Sequence, residues 1–329
     1  LIGHGFDFGG ECGVAFFFIL SGFVLSLAYG SVRENRFSTR AFVRKQLLKF
    51  YPLHLLTLLA MLLMDARLGV FYERCRLLPN VLLLQSWIPD DSYFFVANGS
   101  SWFLSDMLFF YLVFSALFLF LNRATGRRLM LMGCLCLLAY SVLVVSVPEA
   151  KINAILYASP VTRLMDFTIG ILLCRFCRSE RTLSLRTWLQ DQSSVMKTFL
   201  EVVVVLFIVA SAVVYPHLSP RFRCASFFWP LAPLIIFLFA TLDRSGGLVT
   251  RWLHRPWMLW LGSISFEIYL LHMVVMRITQ SVYLQIGYEG VVPTWLSIVV
   301  NSLLTIAVAW SVKKYFVDKI YGKLIKRVI

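Results

Sequence analysis

Charged side chains are scarce in this chain: Asp, Glu, Lys and Arg supply only 15% of its 329 residues. Soluble domains carry about a quarter, so the composition excludes an ordinary water-soluble globule. Cysteine is also sparse, with seven scattered along the chain, which excludes a disulfide scaffold. Cys174 and Cys177 form a C-x-x-C pair, but no second pair accompanies it, so neither a zinc centre nor a redox motif is expected and no metal is assigned. Stretches long enough for a separate soluble domain are lacking, the longest gaps between apolar runs being near 66–100 and 176–198. The two halves show no self-similarity of the kind transporters display. Acids are outnumbered, 17 against 31 Lys and Arg.

What is abundant is apolar surface, at 59% of residues, with 16% aromatic. Runs long enough to cross a bilayer recur at about 11–30, 46–65, 101–121, 129–147, 161–175, 199–215, 226–242, 258–278 and 293–312. The fifth is short and needs its flanks to complete a span. The segment 77–88 is apolar but too short, and is expected to be re-entrant or interfacial. The fold class is therefore all-α: a polytopic transmembrane helical bundle of about nine spans, forming a single membrane-embedded domain over residues 1–329.

Charge sets the orientation. If the first run travels from outside to inside, the inner segments hold 23 of the 31 Lys and Arg, which satisfies the positive-inside rule. The C-terminal tail is then cytoplasmic and residue 1 outside, in the cell (inner) membrane. The net charge of +14 sits in short loops between apolar runs. Membrane lipid, not nucleic acid, is thus the expected partner. Residue 1 is Leu and no signal peptide is visible; the expectation is an N-terminally truncated chain, preceded by at least one helix in a full protein of about ten spans. Asn98-Gly99-Ser100 is a glycosylation sequon on an expected outer loop.

Five motifs occur in order. Gly13-Val14-Ala15-Phe16-Phe17-Phe18-Ile19-Leu20-Ser21-Gly22-Phe23 is an aromatic helix interrupted by a Ser-Gly pair, which allows close helix packing. Phe42-Val43-Arg44-Lys45 and Lys49-Phe50-Tyr51-Pro52 form a basic turn entering the second span. Trp102-Phe103-Leu104-Ser105-Asp106 opens the third, followed by Phe110-Tyr111-Leu112. Arg163-Leu164-Met165-Asp166-Phe167 with Gly170 lies in the fifth. Leu261-Gly262-Ser263-Ile264-Ser265-Phe266-Glu267-Ile268-Tyr269-Leu270-Leu271-His272 lies in the eighth. Together they resemble the acyltransferase-3 family of membrane O-acyltransferases over nearly the whole chain.

That resemblance implies transfer of an acyl group, commonly acetyl, from cytosolic acyl-CoA to a hydroxyl of a cell-surface or exported carbohydrate. Acyl-CoA is then a donor substrate and no cofactor is bound permanently. The family's core is a basic residue and a His about ten apart on its first helix. No Arg or Lys precedes His4, which is either that His or an ordinary loop residue. Met107 stands where many members have Glu, and Asp106 beside it can supply the carboxylate.

The chemistry needs a base, oxyanion donors and cations for the coenzyme phosphates. Arg44, Lys45 and Lys49 cluster at helical spacing on the inner side and suit the phosphates, although positive-inside topology alone also places basic residues there. Charges within spans are costly and mark function by default. Arg163 and Asp166, three apart, can pair either as structure or as part of the site. Ser265, Tyr269 and His272 form a stripe at i, i+4 and i+7, which is either polar glue between helices or a groove for the acceptor. Trp102 and Asp106 join the substrate-binding candidates, with His4, Arg163, Asp166 and His272 as catalytic ones. His54, one turn past Pro52, is expected in the core. A transporter or flippase of a lipid-linked sugar is the rival reading, and the intramembrane charges weigh against a purely structural or signalling subunit. No sequence feature assigns an oligomeric state.

Overall fold

The computed structural model describes residues 10–30, 38–224, 226–242, 245–287 and 292–325; they are helical, with no strand among them. His4 lies outside the described residues. Among the described residues, nine apolar helices carry the fold: α1 (Gly10–Tyr29), α2 (Thr39–Arg67), α3 (Trp102–Arg123), α4 (Gly126–Ser146), α5 (Pro160–Cys177), α6 (Ser194–Val214), α7 (Leu231–Leu242), α8 (Ser265–Gln285) and α9 (Thr294–Val312).

Local signals explain where they begin. Ser38, Thr125 and Ser193 each accept a hydrogen bond from a first-turn backbone N–H of α2, α4 and α6, the usual Ser/Thr cap. Pro160 opens α5, where its missing N–H costs nothing.

Six of the helices, α1, α2, α3, α4, α6 and α9, are long and apolar enough to cross a membrane. Two bent helix pairs pass the same test together, each a broken span or a re-entrant loop. The helical segment Glu149–Tyr157 meets α5 at 44°, supplying the flank that the short fifth run requires. Pro256–Ser263 meets α8 at 63°, so the eighth expected span is broken at Ile264. The seventh expected span, 226–242, is corrected: only Leu231–Leu242 is helical, 12 residues, or about 18 Å against about 30 Å of hydrocarbon. Pro230 is the reason, because it disfavours the helical region for Trp229. Segment 77–88 folds into a short helix, Arg74–Val81, and the turn Gln85–Trp87.

The chain divides into two compact units. The first comprises Ser38–Leu108 and the described part of Trp260–Ile329, and contains α2, α8 and α9. The second comprises the described part of Asp7–Phe37 together with Phe109–Leu259, and contains α1 and α4–α7.

In the second unit α1 and α5 cross backbone to backbone. A Cβ on Gly22 would collide with the Phe167 carbonyl, and one on Gly170 with the Ile19 carbonyl. This reciprocal glycine contact is the close packing expected of Ser21-Gly22, and is the usual way for apolar helices to gain dispersion contact in lipid. Phe110 stacks on Phe167 beside the crossing, centroids 5.0 Å apart, and Phe18 meets Phe110 edge-on. On α4, by contrast, Leu135, Leu138, Val142 and Val145 are more than half exposed, as a lipid-facing wall should be.

Arginines finish the helix ends of this unit. Arg175 donates to the Leu121 and Ala124 carbonyls past α3, Arg178 to Ser26 and Leu27 of α1, Arg186 to Cys177 of α5 and Arg221 to Val144 and Val145. Each satisfies carbonyls that have no partner in their own helix and favours the negative end of its dipole. Part of the positive charge that reads as topology is thus also capping. Glu201, fully buried in α6, does the converse. Its carboxylate accepts from the Gly247 and Val249 backbone N–H groups and from the Thr250 hydroxyl at 2.5–2.8 Å, capping the helix Leu248–Leu253.

Candidate active site

The described sequence-predicted residues fall at three places, two in the first unit and one in the second. In the first unit α8 carries Ser265, Tyr269 and His272, all half-buried. The Tyr269 hydroxyl donates to the Ser100 carbonyl at 3.1 Å, and its ring lies edge-on to Phe103 at 5.2 Å. His272 places Nδ1 2.5 Å from the Tyr269 carbonyl. A carbonyl only accepts, so Nδ1 carries the proton and the basic lone pair is on Nε2.

The segment before α3 packs against this helix. Asn98 is fully buried and donates from its side chain to the Leu270 carbonyl at 3.0 Å, while Ser100 donates to Asn98 Oδ1. The sequon reading of Asn98 is therefore corrected: its amide is spent inside the bundle and presents no acceptor to a glycosylating enzyme. Trp102 and Asp106 are both buried at the start of α3.

A polar interior surrounds them that sequence reasoning missed. Asn80 donates to the Val96 carbonyl and to Ser101 Oγ, Gln85 to the Ser101 carbonyl and Ser86 to the Trp102 carbonyl. His54, as expected, is core: it is fully buried, with Nε2 3.0 Å from the Asn80 carbonyl. Two buried non-glycine residues hold left-handed backbone here, Leu83 at φ 57° and Ala97 at φ 52°. Each costs roughly 1–2 kcal/mol, and such strain collects at functional sites. Farther along α8, Arg277 Nε lies 3.4 Å from buried Asp65, whose other oxygen accepts from Tyr72 at 2.7 Å. Burial first, then the Asp65 carboxylate, push the Tyr72 hydroxyl up to about 12. Single polar residues in apolar runs were the only sequence signal for these groups.

The basic turn opens α2 with Arg44, Lys45 and Lys49 all exposed, so their ammonium and guanidinium groups are accessible to an anion.

In the second unit the expected Arg163–Asp166 pair is present, NH1 to Oδ2 at 2.9 Å, with side chains 2% and 1% exposed. Each side-chain nitrogen of Arg163 and each oxygen of Asp166 has a partner in the protein. Arg163 also donates to the Tyr157 and Cys224 carbonyls at 2.7 and 2.8 Å, and Trp229 Nε1 donates to Asp166 Oδ1 at 2.5 Å. Trp229 was invisible as a partner, because 63 residues separate it from Asp166. No group of three His, Cys, Asp or Glu able to hold a metal occurs among the described residues.

A multi-pass helical bundle with ionisable groups buried in it fits a membrane-embedded enzyme or a transporter, and the family match decides for the enzyme. The acyltransferase-3 family model (acyltransferase domain) matches residues 2–314, and the chain belongs to that family. It is 29% identical over 292 residues to Acyltransferase MdmB of Streptomyces mycarofaciens, covering 82% of this chain and 68% of that protein. No solved structure matches significantly. The protein is an acyltransferase, and its apolar helices make it a multi-pass membrane one.

Proposed function

We propose that the protein transfers an acyl group, commonly acetyl, from cytosolic acyl-CoA to a hydroxyl of a cell-surface or exported carbohydrate. The observation that carries the chemistry is the His272 geometry. With Nδ1–H held by the Tyr269 carbonyl, Nε2 takes the hydroxyl proton as the alcohol oxygen attacks the thioester carbonyl. Collapse of the tetrahedral intermediate expels the coenzyme thiolate, which recovers a proton. Tyr269, which meets Ser100 and Phe103 at the start of α3, is assigned to the acceptor together with Ser265, Trp102 and Asp106. Arg44, Lys45 and Lys49 receive the coenzyme phosphates. The charge distribution supports this arrangement, with the cytoplasmic side holding the basic turn and the C-terminal tail, and residue 1 outside. His4 is retained as a catalytic candidate from the family resemblance, while Arg163 and Asp166, whose bonds are directed at the protein, are assigned to bracing the fold.

Two variants separate the base from the donor site. His272→Asn should lower kcat by about 10²–10⁴-fold, the usual worth of a positioned base, with little change in KM for acyl-CoA. Arg44→Gln should raise that KM and leave kcat near wild type, because it removes a ground-state phosphate contact. Steady-state kinetics on the purified full-length protein decide it. Wild-type kcat in His272→Asn would remove His272 from the chemistry.

A further inference from the structure

Two departures from regular helix meet at one end of the first unit. The eighth span breaks by 63° between Ser263 and Ser265. Beyond Val312, α9 opens into a π-helical turn, Lys313–Val317, before Asp318–Ile325 resumes as α-helix. A π turn inserts one extra residue and redirects the side chains around it, often at functional sites. Neighbouring lysines are treated differently there. Lys314 lies over the Trp310 and Tyr315 rings at 4.8 and 5.3 Å, as an interfacial lysine should. Lys313 turns inward instead, donating to the Ser263 carbonyl exposed by the break, with Nζ 4.0 Å from Glu267 Oε1.

Glu267 is 4% exposed. Lys313 and then Lys49 act on it as neighbouring cations, with Asp318 as a weaker opposing anion. Its Oε2 has no hydrogen-bond partner among the described residues. A carboxylate in the first turn of α8 can serve as a helix-end charge, and Lys313 can fasten the broken helix. Those roles use Oε1 and the Ser263 carbonyl. They do not explain a second buried oxygen left without a hydrogen bond. A buried carboxylate 4.0 Å from the Lys313 ammonium restrains a group that would otherwise roam on a four-carbon stem. Lys49 is exposed and the Lys313 side chain is 29% exposed, so both can still meet a ligand.

We infer that Lys313, positioned by Glu267 at the helix break, forms with the exposed Lys49 a phosphate-binding site that takes the nucleotide end of the acyl-CoA donor. The inference rests on the donor assignment above and adds Lys313 as a binding residue and Glu267 as a positioning residue. The chemistry recognised is a phosphate group, which a lipid headgroup also carries, so the test separates the two sources.

Full-length protein in neutral detergent is assayed with acetyl-CoA and with S-acetylpantetheine, which has the same thioester and no phosphate. Lys313→Gln, Lys49→Gln and Glu267→Gln should each raise the KM for acetyl-CoA about tenfold or more, the worth of one charge-assisted hydrogen bond. Their kcat should stay near wild type, and their KM for S-acetylpantetheine should be unchanged. Lys313→Arg should keep most of the acetyl-CoA preference. Lys49 is exposed, so its variant folds even if those of half-buried Lys313 and buried Glu267 do not. Equal losses with both donors would mean that the cluster only fastens the helices, and would overturn the inference. A loss seen only when phosphatidylglycerol vesicles are added would assign the phosphate to lipid and overturn it too. A wild-type protein that uses neither donor would sink the acyl-CoA reading itself, whereas a wild-type preference that survives in all three Gln variants would sink this inference alone.

Discussion

Asp166→Asn is expected to abolish both folded yield and acyl transfer, and Arg163→Gln to do the same. Either change strands the other group in an interior where the pair is 1–2% exposed, and breaking a buried pair by removing one partner costs about 3–5 kcal/mol. The neighbours add to the loss. Trp229 Nε1 loses an ionised acceptor in the first variant, and the Tyr157 and Cys224 carbonyls lose their guanidinium donor in the second. The double variant is the informative one. Because Arg163 and Asp166 direct their bonds at the protein, the geometry favours a bracket that ties Tyr157 and Cys224 to α5. Removing both charges should therefore recover part of the folded yield, and activity in proportion. Thermal stability measured beside acyl transfer on the three variants tests this. Folding recovered without activity would place the pair in the chemistry, as its spacing alone also allows.

Gly170→Ala should be nearly as damaging although it adds one methyl group. The added Cβ meets the Ile19 carbonyl and the Phe23 backbone N, and backbone of a packed helix cannot rotate away as a side chain does. Overpacking costs about 1–3 kcal/mol, and a backbone obstacle puts this case at the top of that range. Gly22→Ala should behave alike, since its obstacle is the Phe167 carbonyl across the same crossing. Gly133→Ala is the control: nothing lies within 4 Å of its would-be Cβ on lipid-facing α4, and Ala is the better helix former by about 1 kcal/mol. The melting midpoint in detergent should fall for the first two and hold or rise for the third. A Gly170→Ala protein as stable as wild type would mean that α1 and α5 do not cross in contact.

These cases show what a sequence discloses in a membrane chain. The Arg163–Asp166 pair was legible because two charges three residues apart in an apolar run must meet on one helix face. Ser21-Gly22 was legible as a packing site for its small size, but its counterpart Gly170 was known only as part of a motif. The partners that complete each feature come from distant sequence. Trp229 reaches Asp166, Lys313 reaches Glu267 and Asn98 reaches Leu270, and no local spacing announces such contacts. The seventh span was overestimated because its hydropathy runs on through Pro230, where the backbone cannot continue the helix. Glu201 shows the opposite limit: a buried carboxylate in an apolar run would be ranked as functional, yet its oxygens serve a helix end. Glu267 stood in plain view within the eighth-span motif, and only the bend at Ile264 and the π turn after Val312 set it apart.

The central claim, acyl transfer from a cytosolic thioester to a carbohydrate hydroxyl, is tested most directly in sealed membrane vesicles of defined sidedness. Acetyl-CoA labelled in the acetyl group is supplied outside inside-out vesicles that carry the protein and the cell's own glycan precursors. Labelled, alkali-labile ester should appear on carbohydrate, should vanish in His272→Asn vesicles, and should not form when right-side-out vesicles receive the same donor. Label that never enters carbohydrate, or that enters only from the outer face, would contradict the account.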